Sequence, residues 1–139
     1  MEMDTEIIAS LFKTCSNEQE IYTQIIELGK KLSKLEPKYQ TEENQVLGCQ
    51  STSYLYSTFN EGLITFYGSS DALISSGLMK IMLIAYSGQS PEYILKQPPH
   101  FLEELGILSS ISLTRINGLK SLHLLMKKQA LNQLVNLNR

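Results

Sequence analysis

Cys49 is the residue in this sequence whose type and setting best suit covalent chemistry. It follows Gly48 and precedes Gln50-Ser51, where a polar stretch meets a segment rich in Tyr, Thr and Phe. Functional residues often lie on such loops above a rigid scaffold, and Gly48 permits a backbone geometry or a close approach that a side chain would block. The thiolate of a cysteine is the nucleophile, so a site here needs a way to ionise the thiol. The spacing alone also fits a small residue required at the entrance of a strand.

The other cysteine and the two histidines form no recognisable motif. Cys15 and Cys49 make neither a disulfide framework nor the Cys/His spacing of a structural zinc site. We expect Cys15 to be a buried free cysteine on a helix. His100 and His123 lie on separate segments, and His123 falls on an apolar stripe, where a histidine at the edge of the core is expected. In a cysteine hydrolase with either histidine as base, the thiol and the imidazole would have to lie close together in the folded protein, and spacing in the sequence does not test this.

Length and composition indicate one folded domain over residues 1–139, with 42% hydrophobic and 19% charged residues. The net charge of -2 argues against a nucleic-acid partner. No apolar run approaches the roughly 18 residues of a membrane span, and the acidic first residues lack the pattern of a signal peptide. With two cysteines only, we expect a cytoplasmic location. The cluster of Lys30, Lys31, Lys34 and Lys38 is interpreted as the solvated end of a helix.

Periodicity and turn residues predict an α+β fold, in which helices cover a small antiparallel sheet. The strands are expected at Ser53–Phe59 and Leu63–Tyr67, with a hairpin turn at Asn60-Glu61-Gly62. Lys34–Gln45 is predicted to be an exposed loop. Helices are predicted at Asp4–Cys15, from the N-cap Ser16 (with Gln19 as its capping-box partner) to about Ser33, from Ala72 to about Tyr86, after Ser90-Pro91, at Phe101–Leu105 with Gly106 as its stop, and from about Leu113 to Asn136.

A series of short motifs, in order along the chain, resembles the SufE family of sulfur-acceptor proteins. Gly48-Cys49-Gln50-Ser51 is similar to the family signature, and the resemblance extends from about residue 20 to 135. The sequence departs from the family pattern at two places: Ser53-Tyr54 replaces a common Val-Trp pair, and Gln45 replaces a residue that is often basic. The other matching segments are Ile26–Leu32, Glu42–Val46, Gly68–Ala72, Gly77-Leu78, and the set Leu113, Arg115, Gly118 and Leu119.

The resemblance implies a SufE/IscU-like fold and persulfide chemistry at Cys49. A SufS-type cysteine desulfurase would present a persulfide, Cys49 would accept its sulfur and stimulate the desulfurase, and a SufBCD-type scaffold would receive the sulfur for Fe-S cluster assembly. Pyridoxal phosphate would belong to the desulfurase, and neither a cofactor nor a metal is implied for this chain. The chain would act as a carrier and activator rather than as an independent catalyst. A monomer and a homodimer are both compatible with the sequence.

The resemblance also implies supporting roles near the thiol. Gln50 and Ser51 are expected to shape the loop or to contact the sulfur. Asp71 matches an acidic residue at a helix start, where it would also serve as the N-cap. Arg115 is the candidate for positive charge near the thiol or at the desulfurase interface, or else a solvated helix residue. Gly118 is expected to allow the last helix to pack closely.

Because a persulfide must be kept from stray thiols and oxidants, we expect Cys49 to be partly shielded in an apolar pocket. Three other functions stay open. An IscU-type scaffold would need about three cysteines at one site, whereas this sequence offers one. A related carrier serving another sulfur-transfer pathway, and a desulfurase-binding module without obligatory cysteine chemistry, are the remaining alternatives.

Overall fold

Helices cover one face of an antiparallel hairpin, which confirms the predicted α+β class. The computed structural model describes residues 5–137, so Asp4 of the first predicted helix lies outside the described residues. Within these residues no helix is both long and apolar enough to cross a bilayer. The helices are α1 (Thr5–Phe12), α2 (Glu18–Lys30), α3 (Leu73–Tyr86), α4 (Pro91–Lys96), α5 (Phe101–Glu104) and α6 (Leu113–Leu137), the strands are β1 (Ser53–Asn60) and β2 (Leu63–Ser70), and short 3-10 turns lie at Pro37–Tyr39, Glu42–Asn44 and Leu108–Ser110.

The hairpin pairs β1 and β2 over their full lengths. Its turn consists of Glu61 and Gly62, with φ values of 53° and 79°, the left-handed geometry that matches the twist of the flanking strands. Both strands are longer than predicted, because pairing continues through Asn60 at the turn and through Ser70 at the far end. The Tyr and Phe residues therefore predicted the hairpin correctly, but they did not predict that its polar end residues, Asn60 and Ser70, also pair.

The predicted helix after β2 is the centre of the core. α3 contacts α1, α2, β2 and α6. Its long side chains Ile74, Leu78, Ile81 and Met82 are all buried, as are Leu55 and Phe66 on the facing side of the hairpin. Burial of such side chains contributes roughly 1.5–3 kcal/mol each, so α3 and the hairpin are held together mainly by apolar contact.

The start of α2 differs from the prediction by one residue. Asn17, not Ser16, is the N-cap, because its side-chain oxygen accepts a hydrogen bond from the Glu20 amide at 2.9 Å. Glu20 in turn accepts from the Ser16 amide at 2.9 Å, so it takes the capping-box position that Gln19 was expected to hold. Cys15 lies in the connection before this cap and is half-buried, so the prediction of a buried cysteine on a helix is wrong.

The segment predicted as an exposed loop is largely exposed, as expected, but it also contacts the hairpin, and we call it the wrapping segment. It contains two 3-10 turns and buries Leu35. Tyr39 stacks on Tyr56 of β1 with ring centroids 3.9 Å apart. The lysine cluster at its start is exposed, and Lys30 and Lys38 pair with neighbouring glutamates at 3.0 and 3.6 Å.

The crossing of α2 and α3 depends on two glycines. A Cβ on Gly77 would overlap the Ile25 carbonyl, and a Cβ on Gly29 would overlap the Leu73 carbonyl. The backbones therefore approach so closely that neither helix has room for a methyl group at the crossing.

We predict that Gly77→Ala destabilises the protein, although alanine favours an isolated helix by about 1 kcal/mol over glycine. Separating two packed backbones should reduce the free energy of unfolding by roughly 1–3 kcal/mol, as overpacking typically does. Urea unfolding followed by circular dichroism measures the change. Thr23→Ala, on the exposed face of α2, is the control and should change stability by less than about 0.5 kcal/mol. Equal or greater stability of Gly77→Ala would contradict this account of the crossing.

His123 stacks on Tyr86, with ring centroids 5.2 Å apart. Among the described residues its Nε2 atom is buried without a hydrogen-bond partner. Burial, and to a smaller extent the charge of Lys127, lowers the pKa of His123 from 6.5 to about 4. The residue thus lies at the edge of the core, as its position on the apolar stripe predicted.

We predict that the protein loses stability as the pH falls from about 6.5 to 4. In this window the unfolded chain protonates His123 while the folded chain excludes the proton, so proton binding stabilises the unfolded state. The loss should be about 1–2 kcal/mol, since part of the ring reaches solvent. His123→Phe, which keeps the ring stack, should reduce the pH dependence of urea unfolding, whereas His100→Gln on an exposed residue should not. An unchanged slope in His123→Phe would contradict the prediction.

Candidate functional site

Cys49 lies on a loop between the wrapping segment and β1, and the loop is closed at its base by backbone hydrogen bonds. The Val46 amide donates to the Ser53 carbonyl at 2.8 Å. Gly48 has a φ of 75°, which favours glycine over any side chain. A Cβ at this position would also lie 3.4 Å from the Ser121 hydroxyl of α6. Glycine is therefore favoured before the cysteine, as predicted, because the backbone here has a positive φ.

The Cys49 side chain is half-buried and points into a small cavity between the hairpin, α3 and α6. The cavity has a volume of about 30 Å³, room for one or two small atoms. Its walls are largely apolar, with Val46, Leu78, Met79, Leu119 and Leu122 among the lining residues. This is the partly shielded apolar setting that the sequence analysis expected.

Gly118 of α6 forms the wall closest to the sulfur. Its carbonyl oxygen lies 3.9 Å from Cys49 Sγ, and a Cβ at position 118 would lie 3.2 Å from that atom. The absence of a side chain at Gly118 therefore leaves room for the thiol itself. The expectation of close helix packing pointed to the correct residue, but the packing partner is the cysteine side chain.

A chain of serine hydroxyls supports the loop from behind. Ser53 donates to Ser70 at 2.9 Å, Ser70 to Ser51 at 3.2 Å, and Ser51 to Ser75 of α3 at 2.8 Å. Ser75 also accepts a hydrogen bond from Arg115 Nη1 at 2.7 Å. These bonds tie the loop after Cys49 to both strands, to α3 and to α6, so Ser51 has a clear structural role.

Asp71 does not cap α3, and the prediction that it would is wrong. Ala72 is the N-cap and makes no side-chain capping bond. Because β2 continues to Ser70, Asp71 lies at the corner between strand and helix instead. Its carboxylate accepts from the Thr52 amide at 3.0 Å, and its own amide donates to the Thr52 carbonyl at 3.1 Å. Asp71 therefore holds the end of the cysteine loop against the start of α3.

Arg115 and burial have opposite effects on the thiol. Burial, the larger effect, raises the pKa of Cys49 above its usual value, and the positive charge of Arg115 lowers it in part. Arg115 also lines the cavity. At rest the cysteine is therefore largely a neutral thiol at neutral pH, with the guanidinium already placed to stabilise a thiolate.

The structure brings all six predicted residues together. Cys49, Gln50 and Arg115 line the cavity, with Gln50 exposed at its rim. Gly48, Ser51 and Asp71 shape or hold the cysteine loop. Sequence reasoning missed Ser53, Ser70 and Ser75. For Ser70 and Ser75 the signal was a concentration of serines on both sides of the corner between β2 and α3.

Neither histidine lines this cavity. His100 is exposed beside α5, and His123 stacks on Tyr86. In the described part of the chain no three His, Cys, Asp or Glu side chains gather as they would around a metal ion. Neither histidine is therefore placed at this cavity to act as the base that a cysteine hydrolase requires beside its nucleophile.

Comparison with known proteins gives consistent matches. The family model of the SufE, Fe-S metabolism associated domain matches residues 6–130. A cysteine desulfuration protein SufE of Wigglesworthia glossinidia brevipalpis is 36% identical over 122 residues, which cover 86% of this chain and 84% of that protein. A protein of the same name from Plasmodium falciparum (isolate 3D7) is 40% identical over 100 residues, or 68% of this chain. The match covers only 40% of that longer protein.

A solved structure shares the fold. The solution structure of a hypothetical protein from Thermus thermophilus superposes with a TM-score of 0.76 over 97% of this chain and 99% of that chain, at 22% sequence identity. The family match spans the hairpin, the cysteine loop and most of α6, which are the elements that build the cavity. This chain therefore belongs to the SufE family.

Proposed function

We propose that this protein is a sulfur acceptor and persulfide carrier in Fe-S metabolism, with Cys49 as the residue that carries the sulfur. The observation that supports this best is the setting of Cys49: one thiol, half-buried in a cavity large enough for about one more heavy atom, beside a guanidinium. Family membership and the names of the relatives, which are cysteine desulfuration proteins, support the same role.

The transfer is a displacement at sulfur. The Cys49 thiolate attacks the outer sulfur of a persulfide on a SufS-type cysteine desulfurase, and a new S–S bond forms as the donor's S–S bond breaks. The donor cysteine leaves as a thiolate, so charge and oxidation state balance and no external oxidant is needed. Pyridoxal phosphate belongs to the desulfurase, and this chain contributes the acceptor thiol and stimulates turnover by removing sulfur.

Burial and Arg115 give the acceptor two states. At rest, burial keeps the thiol protonated and poorly reactive, which protects it from stray electrophiles. When a partner opens the loop, solvent or partner groups replace the apolar walls and the desolvation of the thiolate is relieved. Arg115 then favours the ionised form. The return of the loaded cysteine to the cavity shields the persulfide until a SufBCD-type scaffold accepts the sulfur.

Sulfur loading tests this proposal directly. After incubation with a SufS-type desulfurase and free cysteine, intact-protein mass spectrometry should show the mass of one or more added sulfur atoms on the wild type. Reductant should remove the added mass, and Cys49→Ser should not acquire it. Cys15→Ser is the matched control and should load as the wild type does, since Cys15 lies in another part of the fold.

Three outcomes would count against parts of this proposal. If Cys49→Ser gains sulfur as well as the wild type, another residue is the acceptor. If neither gains sulfur while both still stimulate an active desulfurase, the protein is a binding module without cysteine chemistry. If loading occurs but a SufBCD-type scaffold takes no sulfur, the carrier serves another sulfur-transfer pathway.

Arg115→Met should move the ionisation of Cys49 to higher pH, because it removes the positive charge that lowers the pKa of the thiol. The rate of alkylation by iodoacetamide, measured against pH, gives the inflection that reports this pKa. At pH 8 the rate should fall on the order of a few-fold relative to the wild type. The plateau at high pH reports exposure of the sulfur and separates opening of the cavity from loss of charge.

Two further variants complete the test. Arg115→Lys should restore part of the shift, because it keeps a cation near the thiol. Lys120→Met, an exposed cation on the same helix, should leave the inflection unchanged. An unchanged inflection in Arg115→Met would mean that Arg115 does not act on the thiol.

A further inference from the structure

α6 has two apolar faces, and only one of them packs against the rest of the protein. The inner face carries the buried side chains Leu119, Leu122, Met126 and Ala130. The second face consists of four large apolar side chains that remain exposed: Leu113 at 71%, Leu124 at 65%, Leu131 at 50% and Val135 at 47%. We call these four residues the outer row.

The members of the outer row share one side of α6, with Asn117 and Lys120 between Leu113 and the other three. At about 100° per residue its members fall within an arc of about 40°, about 150° from the centre of the buried face. With a rise of 1.5 Å per residue, the row extends for about 33 Å. Single exposed leucines are common, but Leu124, Leu131 and Val135 on one side of the second half of α6 add nothing to the core, and such a group is typical of a binding surface.

The charge of α6 differs sharply from that of the whole chain. The helix holds four of the chain's 12 Lys and Arg residues and none of its 14 Asp and Glu residues. Lys120 and Lys127 border the outer row on one side, and Lys128 borders it on the other. Of the ion pairs among the described residues, none involves these three lysines. A net negative protein thus presents a positive strip along an apolar ridge.

These observations discriminate among the possible occupants. A second copy of α6 would bring the lysines of both helices together without any carboxylate to offset them, which opposes a symmetric dimer through this face. A membrane surface requires a wide apolar face, commonly with Trp or Phe, whereas the outer row is about one residue wide and has no aromatic side chain. An acidic amphipathic helix offers leucines to pack on the row and carboxylates to meet the lysines.

We propose that the outer row and its flanking lysines form a docking surface for an acidic amphipathic helix of a partner protein. The surface is separate from the cavity at Cys49, although both use α6: its inner face supplies Arg115 and Gly118 to the thiol, and its outer face remains free for a partner. The proposal does not depend on the sulfur chemistry.

The test uses a probe of defined chemistry. A fluorescein-labelled peptide of about three heptads, with Leu at positions a and d and Glu at positions e and g, should bind the intact protein in a fluorescence anisotropy titration. Leu124→Gln combined with Leu131→Gln should weaken binding about tenfold or more. Lys127→Glu combined with Lys128→Glu should weaken it similarly, and added salt should weaken binding to the wild type.

The controls isolate the surface. Ile7→Gln removes a comparably exposed apolar side chain from α1, at 52%, and should leave binding unchanged. A peptide with Lys in place of every Glu should not bind. Thermal melting of each variant checks that the exposed substitutions leave the fold intact.

Several results would overturn the proposal. Absence of peptide binding, or equal binding by the double glutamine variant, would remove the outer row as a docking site. Binding to phosphatidylglycerol vesicles that depends on Leu124 and Leu131, without peptide binding, would assign the surface to a membrane. A dimer in sedimentation velocity that the double glutamine variant abolishes would assign it to a second copy of the chain.

Discussion

The packing of α3 against the hairpin is the constraint on which the rest of the structure depends. α3 contacts α1, α2, α6 and β2, and nine of its residues are buried. Its first turn places Ser75 under the cysteine loop, and its second places Leu78 and Met79 in the wall of the cavity. Because the same helix also crosses α2 at two glycines, small shifts in its position would move both the core and the site.

The cysteine site combines two opposing requirements. In the proposed role the sulfur must be protected at rest, and burial provides this by raising the pKa of Cys49. The same thiol would have to become a nucleophile during transfer, and the positive charge of Arg115 lowers its pKa in part. The serine network and the two hydrogen bonds between Asp71 and Thr52 hold the cysteine loop in place. The loop is therefore held by hydrogen bonds rather than by apolar packing. Such bonds contribute about 1 kcal/mol each, so a docked partner could replace them without unfolding the domain.

α6 links the site to the surface of the molecule. Its inner face supplies Gly118 and Arg115 to the cavity, and its outer face carries an apolar row bordered by lysines. The two faces explain why a helix of 25 residues has a weak separation of polar and apolar sides. A single element thus serves both the chemistry proposed at Cys49 and the partner surface proposed on its opposite side.

The sequence by itself determined the fold class, the order of the elements and the candidate acceptor cysteine. Local signals were sufficient for the elements, because periodicity and turn residues such as Glu61-Gly62 lie in short stretches of chain. The acceptor role of Cys49 came from the resemblance to the SufE family, which rests on motifs from about residue 20 to 135. It misplaced the cap of α2 by one residue, because Ser16 and Asn17 are both good caps and only the backbone path decides between them. Tertiary structure alone decided how the site is built. Gly118 is far from Cys49 in sequence, yet it makes the space for the sulfur. Asp71 changed role from helix cap to loop clamp because β2 continued to Ser70. The pKa of the thiol, the volume of the cavity and the exposure of the outer row all depend on which groups approach through space, and no local pattern in the chain encodes those approaches.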